Sequence, residues 1–330
     1  MGADGGRERL RLEPIEPEPL AWPSPRELNL AGKGRRLASL ALRPRGTSRR
    51  AVARDAAFKA LGNLTPSFAV ETDGVRVYVD TADQEISRLV YIFGLYDKPL
   101  MTLAFSALGQ LGIAEDLGGR KLLDLGANIG TTTLTAVGCF GAAGAYCFEP
   151  DPVNFRNLQV NIAANGLGER VRAFEVALSD APGRVRLARS AENPGDHRVL
   201  EGDDPGGRDV VEVEAARLDD LVEAGAVDLD EIGVAWLDVQ GHEGKLLAGA
   251  SRFLERGIPL VAEYWPAGLR DAGGLDLFTE LVGGAYARFV DLGGPEGVPR
   301  GEVLPIAELD AVEGRLPHAD AHTDLLLLPG

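Results

Sequence analysis

The segment Leu122-Leu-Asp-Leu-Gly126-Ala-Asn128-Ile-Gly130-Thr-Thr constrains this chain more than any other. A short apolar strand, Lys121–Leu125, runs into a glycine turn, and Thr131–Phe140 then reads as a helix. A strand-to-helix turn of this kind is where open α/β sheets bind their ligands. A dinucleotide fingerprint needs G-x-G-x-x-G, and here Asn128 and Thr131 hold the places of the second and third glycines, which argues against NAD and FAD. The Gly-Lys-Ser/Thr of a phosphate loop is absent too, which disfavours nucleotide hydrolysis. What remains is a tight turn of small residues beside Asp124, with Asn128 facing the crevice. It suits a zwitterion whose carboxylate meets backbone N–H groups and whose ammonium meets a carboxylate.

The sequence around this turn alternates strand and helix. Ala145–Phe148 is the next strand and ends at Glu149, twenty-three residues beyond Gly126, where an acid can accept hydrogen bonds from both hydroxyls of a ribose. S-adenosylmethionine is one such zwitterion, and it carries a ribose. Asp151-Pro152 caps a helix with Phe155, Leu158 and Ile162 on one face, and Gly166 ends it. Val171–Val176, Val185–Leu187, Val210–Ala215, Ile232–Val239, Leu260–Tyr264, Ala287–Leu292 and Asp324–Leu328 read as further strands, with a helix over Glu243–Leu254. Repeated β-α-β units imply an α/β fold: a mostly parallel sheet with helices on both faces. Upstream, Phe68–Val79 reads as a β-hairpin about Asp73-Gly74, and Gln84–Gly112 as helices broken near Gly94 and Pro99.

At 330 residues the chain has room for one large α/β domain and an appendage. It lacks an apolar run long enough to span a membrane, its start lacks the apolar stretch of a secretory signal, and its two cysteines fit a reducing compartment, so the expectation is a cytoplasmic protein. Residues 1–60 carry 13 Lys/Arg against 7 Asp/Glu, which leaves 21 against 43 over the rest. A body that acidic is a poor partner for nucleic acid. Lys33–Arg54 holds eight basic residues and no acid, a solvated arm or a patch for an acidic partner. The first sixty residues, rich in Pro, Gly and charge, read as an extended arm, and arm and hairpin could serve contacts in a homodimer.

The stretches LLDLGANIG, CFEPDPVNFRNLQVNIAANG, VALSD and WLDVQGHEGKLLAGA resemble the successive signatures of the FkbM-type methyltransferases, from about Phe68 to the C-terminal end. The resemblance implies a Rossmann-like fold with a seven-stranded sheet and S-adenosylmethionine as cofactor. It implies that Asp124, Gly126, Asn128 and Gly130 hold the methionine part, that Glu149 binds the ribose, and that Ala177, Leu178 and Ser179 border the adenine. Asp238 would lie near the cofactor amine or the reacting centre, and Tyr96 resembles an aromatic that closes over the cofactor. In one departure, Trp236 stands where the family commonly has a lysine two residues before that aspartate.

Methyl transfer to oxygen at neutral pH needs a proton acceptor. His242 is the first candidate for a general base because its ordinary pKa lies near neutrality, with Asp238 and Glu263 as carboxylates at neighbouring strand ends. Asp238 and Glu263 could also hold a divalent cation. His197 lies in a long Gly/Pro/Asp loop, either a lid over substrate or plain surface, and His318–Asp324 reads as a polar loop. The expected division is a basic arm (1–60), a hairpin and helical cap (61–115) and a cofactor-binding domain (116–330). The expected activity is O-methylation of a hydroxyl on a sugar or other secondary metabolite, a small-molecule acceptor. The alternatives are N- or carboxyl-methylation of a peptide, or a non-catalytic cofactor-binding subunit.

Overall fold

The computed structural model describes residues 49–190, 193–200, 202, 206–293 and 301–330. The basic segment from Lys33 lies outside them as far as residue 48, with most of the expected arm. The arm does not extend to residue 60: Arg49–Leu61 is a helix, α1, that buries Ala51, Ala57, Phe58 and Leu61. Its sequence has neither Gly nor Pro and five alanines, so helix propensity and an apolar face agree. Phe58 packs on Phe68 and Tyr91, with ring centroids 6.1 and 5.6 Å away. The hairpin forms as expected, β1 (Ser67–Thr72) pairing antiparallel with β2 (Val75–Asp80). Helices α2 (Ile86–Phe93) and α3 (Lys98–Gln110) complete the cap.

The body begins with β3 (Lys121–Leu125), α4 (Thr131–Cys139), β4 (Gly144–Phe148), α5 (Pro152–Ala164) and β5 (Val171–Phe174). Next come β6 (Ala177–Leu178), β7 (Gly183–Arg189), β8 (Arg198–Val199), β9 (Asp209–Ala216) and α6 (Leu218–Glu223). The chain continues through β10 (Ile232–Leu237), α7 (Glu243–Ala248), α8 (Ser251–Arg256), β11 (Leu260–Tyr264), α9 (Pro266–Asp271) and α10 (Leu275–Ala285). It closes with β12 (Arg288–Gly293), β13 (Val303–Pro305) and β14 (Thr323–Leu328). The main sheet has the order β13-β12-β14-β11-β10-β3-β4-β5. Strands β5, β4, β3, β10 and β11 pair in parallel, while β14 runs antiparallel to both β11 and β12.

This is the expected Rossmann-like α/β architecture, with three corrections. The sheet has eight strands rather than seven, because the short β13 adds an edge beside β12. The strands over 183–189 and 209–216 do not join it but build a second sheet, β6-β9-β7-β8. The helix expected over 243–254 is two helices, because a Cβ at Gly249 would stand 2.0 Å from the Ser179 carbonyl oxygen. Along the central strands, alternate residues enter opposite cores. Leu122, Val234, Trp236 and Val261 meet the cap-side helices, while Leu123, Leu125, Ala235 and Ala262 join the core that includes α7 and α10 residues. No helix among the described residues is long and apolar enough to cross a membrane.

Candidate active site

The carboxyl ends of β3, β4 and β10 open into a cavity of about 960 Å³, its mouth included. Its first wall is the turn after β3. Gly126 has φ +107°, and a Cβ there would stand 1.9 Å from the carbonyl oxygen of Asp238, so only glycine fits. The turn's N–H groups are satisfied internally. Those of Gly126 and Ala127 donate to the Phe148 carbonyl (3.1 and 2.9 Å), and that of Asn128 donates to Glu149 Oε2 (2.9 Å). Ile129 donates to Asn128 Oδ1 (2.8 Å) and Gly130 to the Ala127 carbonyl (2.7 Å). The expectation that these donors wait for a ligand carboxylate therefore fails. The first turn of α4, where Thr131 and Thr132 line the cavity, supplies the positive helix end instead.

Asp124 also moves from its expected place. It is buried beneath the turn, accepts a hydrogen bond from Thr133 Oγ1 (2.6 Å) and does not line the cavity. Burial pushes its carboxyl up to about 7. The carboxylate facing the same space is Asp97, which the sequence reading did not single out. Burial pushes it up to about 6, and its Oδ2 lies 3.5 Å from Thr132 Oγ1. Gly130 starts α4 and stays behind the wall, where a Cβ would press on Leu158. Tyr96 lines the cavity, its hydroxyl 3.5 Å from Thr131 Oγ1.

Glu149 sits where expected, at the end of β4 and on the cavity lining. Its Oε2 receives the Asn128 N–H and its Oε1 that of Asp151 (2.8 Å), so backbone fixes both carboxylate oxygens. Burial pushes this carboxyl up to about 8, against those hydrogen bonds. Beyond it, Phe148, Ala177, Leu178, Leu187 and Leu246 form an apolar slot. Ser179 stands just behind the slot, its Oγ 3.0 Å from His242 Nε2.

The loop after β7 closes over this wall. Asn128 and Asn154 both donate side-chain N–H groups to the carbonyl of Pro194, each at 3.0 Å. Pro194, Gly195 and His197 line the cavity, so the described residues 193–200 of the long loop cover it as a lid would. Arg189 anchors its near end on Asp151 (2.9 Å), a fully buried carboxylate that also caps α5.

The opposite wall gathers ionisable side chains. Asp238 and His242 line the cavity, as does Trp236, which puts an indole where the family's lysine would be. Glu263 does not line it but is tied to it. Gln240 Nε2 donates to Asp238 Oδ1 (2.6 Å) and to Glu263 Oε2 (3.0 Å), so an amide stands between the two carboxylates proposed for a cation. Among the described residues no group of three His, Cys, Asp or Glu side chains could hold a metal ion. Burial raises the Asp238 carboxyl, and burial together with Asp238 raises that of Glu263 well above its usual range. The loop before β14 is more than a polar connection: His322 Nε2 lies 3.6 Å from Glu263 Oε1. From the lid, the Arg198 guanidinium covers the Trp265 ring at 4.3 Å.

Residues 124–278 match the family described as the methyltransferase FkbM domain. The chain is 32% identical over 157 residues to the 2-O-methyltransferase NoeI of Sinorhizobium fredii (strain NBRC 101917 / NGR234), covering 43% of this chain and 62% of that protein's length. Among solved structures, methyltransferase FkbM from Methylobacillus flagellatus KT superposes with TM-score 0.40 at 16% identity, over 84% of this chain and 59% of that one. M. jannaschii TYW2 in complex with AdoMet gives TM-score 0.41 at 11% identity, over 80% of this chain and 87% of that one.

Proposed function

Because the chain carries a methyltransferase FkbM domain, we propose that it transfers a methyl group from S-adenosylmethionine to a hydroxyl oxygen of a small acceptor, a sugar or a related natural product. The observation that carries this reading is the meeting of the Gly126 turn and the Glu149 carboxylate on one cavity. The Sinorhizobium relative, a 2-O-methyltransferase, supports oxygen as the accepting atom. The excess of Asp and Glu over Lys and Arg after residue 60 favours a small acceptor over nucleic acid.

The residues present fit the cofactor's parts. Glu149 would accept from the ribose hydroxyls. Ala177, Leu178 and Phe148 would enclose the adenine. Asp97 would face the ammonium, and the first turn of α4 the carboxylate. The Tyr96 ring would lie near the sulfonium, through cation–π attraction. When bound, the cofactor supplies an electrophilic methyl carbon on that sulfonium.

The chain's own part is to align, to exclude water and to take a proton. The lid and the Trp236 face keep water from the crevice. Asp238 is the group best placed to accept the proton of the acceptor hydroxyl as the C–O bond forms. It lines the cavity, stays exposed to it, and has its Oδ1 held by Gln240. His242 Nε2 is engaged by Ser179, so its role is to hold the loop that carries Asp238.

Calorimetry with S-adenosylhomocysteine tests the premise. Glu149→Ala should weaken binding ten- to a hundredfold, the ~1.5–3 kcal/mol of hydrogen bonds to a charged group. Equal binding by wild type and variant would remove the cofactor assignment. Incubation with methyl glycosides, polyketide alcohols and peptides, read by mass spectrometry for a methyl gain and S-adenosylhomocysteine, separates the acceptor classes. Tight binding with no product from any of them would favour a non-catalytic subunit.

A further inference from the structure

Gln240 occupies a conformation that its own backbone resists. Its φ is +54°, a left-handed geometry that costs a non-glycine residue about 1 kcal/mol. Its neighbours impose it. Glu243, 1% exposed, uses one oxygen, Oε1, to accept the N–H groups of Val239 (3.1 Å) and Gly241 (3.2 Å), the residues on either side. Gly241 in turn lies so close to α9 that a Cβ would come within 2.8 Å of the Gly268 carbonyl oxygen. Strain held by this many contacts has a use at functional sites. Here it directs one NH₂ group at two carboxylates, Asp238 at 2.6 Å and Glu263 at 3.0 Å, from the ends of the neighbouring parallel strands β10 and β11.

An amide NH₂ has two hydrogens and no net charge, so it can serve both carboxylates without neutralising either. The groups facing this pair are mostly acids: Asp97 ahead of α3, Glu243 on α7 and Asp324 on β14, with His322 and, from β8, Arg198 as the basic neighbours. Without a donor between them, two carboxylates in such surroundings hold one proton in common, and a protonated Asp238 cannot act as a base.

We propose that Gln240 is a positioning residue for the methyl transfer: its amide cross-links Asp238 and Glu263 and aims the second oxygen of Asp238 at the acceptor hydroxyl. The identity of that hydroxyl rests on the methyl-transfer reading, whereas the cross-link does not.

The variants Gln240→Gly and Gln240→Glu in the full chain test it. Glycine removes the amide and relieves the left-handed backbone, so that variant should melt at the wild-type temperature or above. Carbon-13 NMR would follow the side-chain carboxyls through a pH titration, with Asp238→Asn and Glu263→Gln for assignment. Asp238 should ionise about one pH unit or more higher in Gln240→Gly than in wild type, and higher still in Gln240→Glu, which adds a third carboxylate. The same midpoint in wild type and Gln240→Gly would overturn the cross-link. S-adenosylhomocysteine binding to wild type, measured on the same preparation, keeps the two readings apart. Its absence sinks methyl transfer and leaves the titration to decide the cross-link, whereas normal binding with an unchanged midpoint sinks the cross-link alone.

Discussion

Around Gly126 and Glu149 the cavity wall is set by backbone. A glycine is wedged against the Asp238 carbonyl, successive N–H groups are satisfied by Phe148, Glu149 and the turn itself, and two peptide N–H groups hold the Glu149 carboxylate. Across the crevice, around Asp238 and Glu263, the wall is set by side chains from β10, β11 and the approach to β14, joined by a glutamine amide. In the proposed function the first construction would hold the cofactor and the second the acceptor, and the second can be rewritten by substitution without disturbing the sheet.

The sharpest way to break this division is at the atom where the walls touch. Gly126→Ala would push a Cβ into the Asp238 carbonyl, in a backbone region alanine resists, and should destabilise the fold by about 3 kcal/mol or more, read by denaturant unfolding. Wild-type stability would show that the walls are not in rigid contact. Next in size, Asp238→Asn should lower turnover by about 10²–10⁴ while changing S-adenosylhomocysteine affinity far less. An equal loss in both would place Asp238 on the cofactor wall.

The Glu149 carboxyl gives a pH test. Its pKa rises from 4.5 to about 8, so the folded protein keeps a proton there that the unfolded chain gives up. Its contribution to stability is complete below the unfolded value and is lost as pH rises through the folded one. Unfolding free energy should therefore fall between about pH 5 and pH 8.5, less steeply in Glu149→Gln. Cofactor affinity should rise over the same window, because ribose hydroxyls need the ionised carboxylate. A fall in both would remove Glu149 from the binding wall. The smallest effect is expected at the lid, where Arg198→Ala loses a contact worth about 0.5–1 kcal/mol. A modest rise in acceptor KM at constant S-adenosylhomocysteine affinity would assign that contact to the acceptor wall.

The two walls also differed in how far the sequence revealed them. The wall proposed for the cofactor lies in neighbouring stretches, 122–132 and 145–154, so strand periodicity, a glycine turn and an acid at a strand end were enough to bring Gly126 and Glu149 to one cavity. Even there the fate of the N–H groups was hidden, because the Phe148 carbonyl that takes two of them comes from the next strand. The same reason placed Asp124 on the cavity, when its partner Thr133 turns it inward. On the acceptor wall Asp238 and Glu263 could be picked out singly as acids at strand ends. Gln240 carries no charge, and its role exists only where β10 lies beside β11, so spacing gave no sign of it. His322 is 59 residues from Glu263 in sequence and meets it only because β14 is inserted next to β11. The second sheet was missed although its strands carry a sign of it: β7 and β9 alternate charged with apolar residues, the pattern of an antiparallel sheet with one wet face, where the central strands of the first are continuous apolar runs.

The place of β14 has a bearing on how such a chain is made. It is the last described strand in sequence, yet it lies inside the sheet, between β11 and β12. A ribosome delivers the whole cofactor wall more than a hundred residues before the segment that carries His322 and seals the flank of Glu263. Until those residues emerge, β11 and β12 each expose an unpaired edge to whatever else is being synthesised nearby. A chain cut short before β14 would thus be prone to self-association and would leave the flank of Glu263 open.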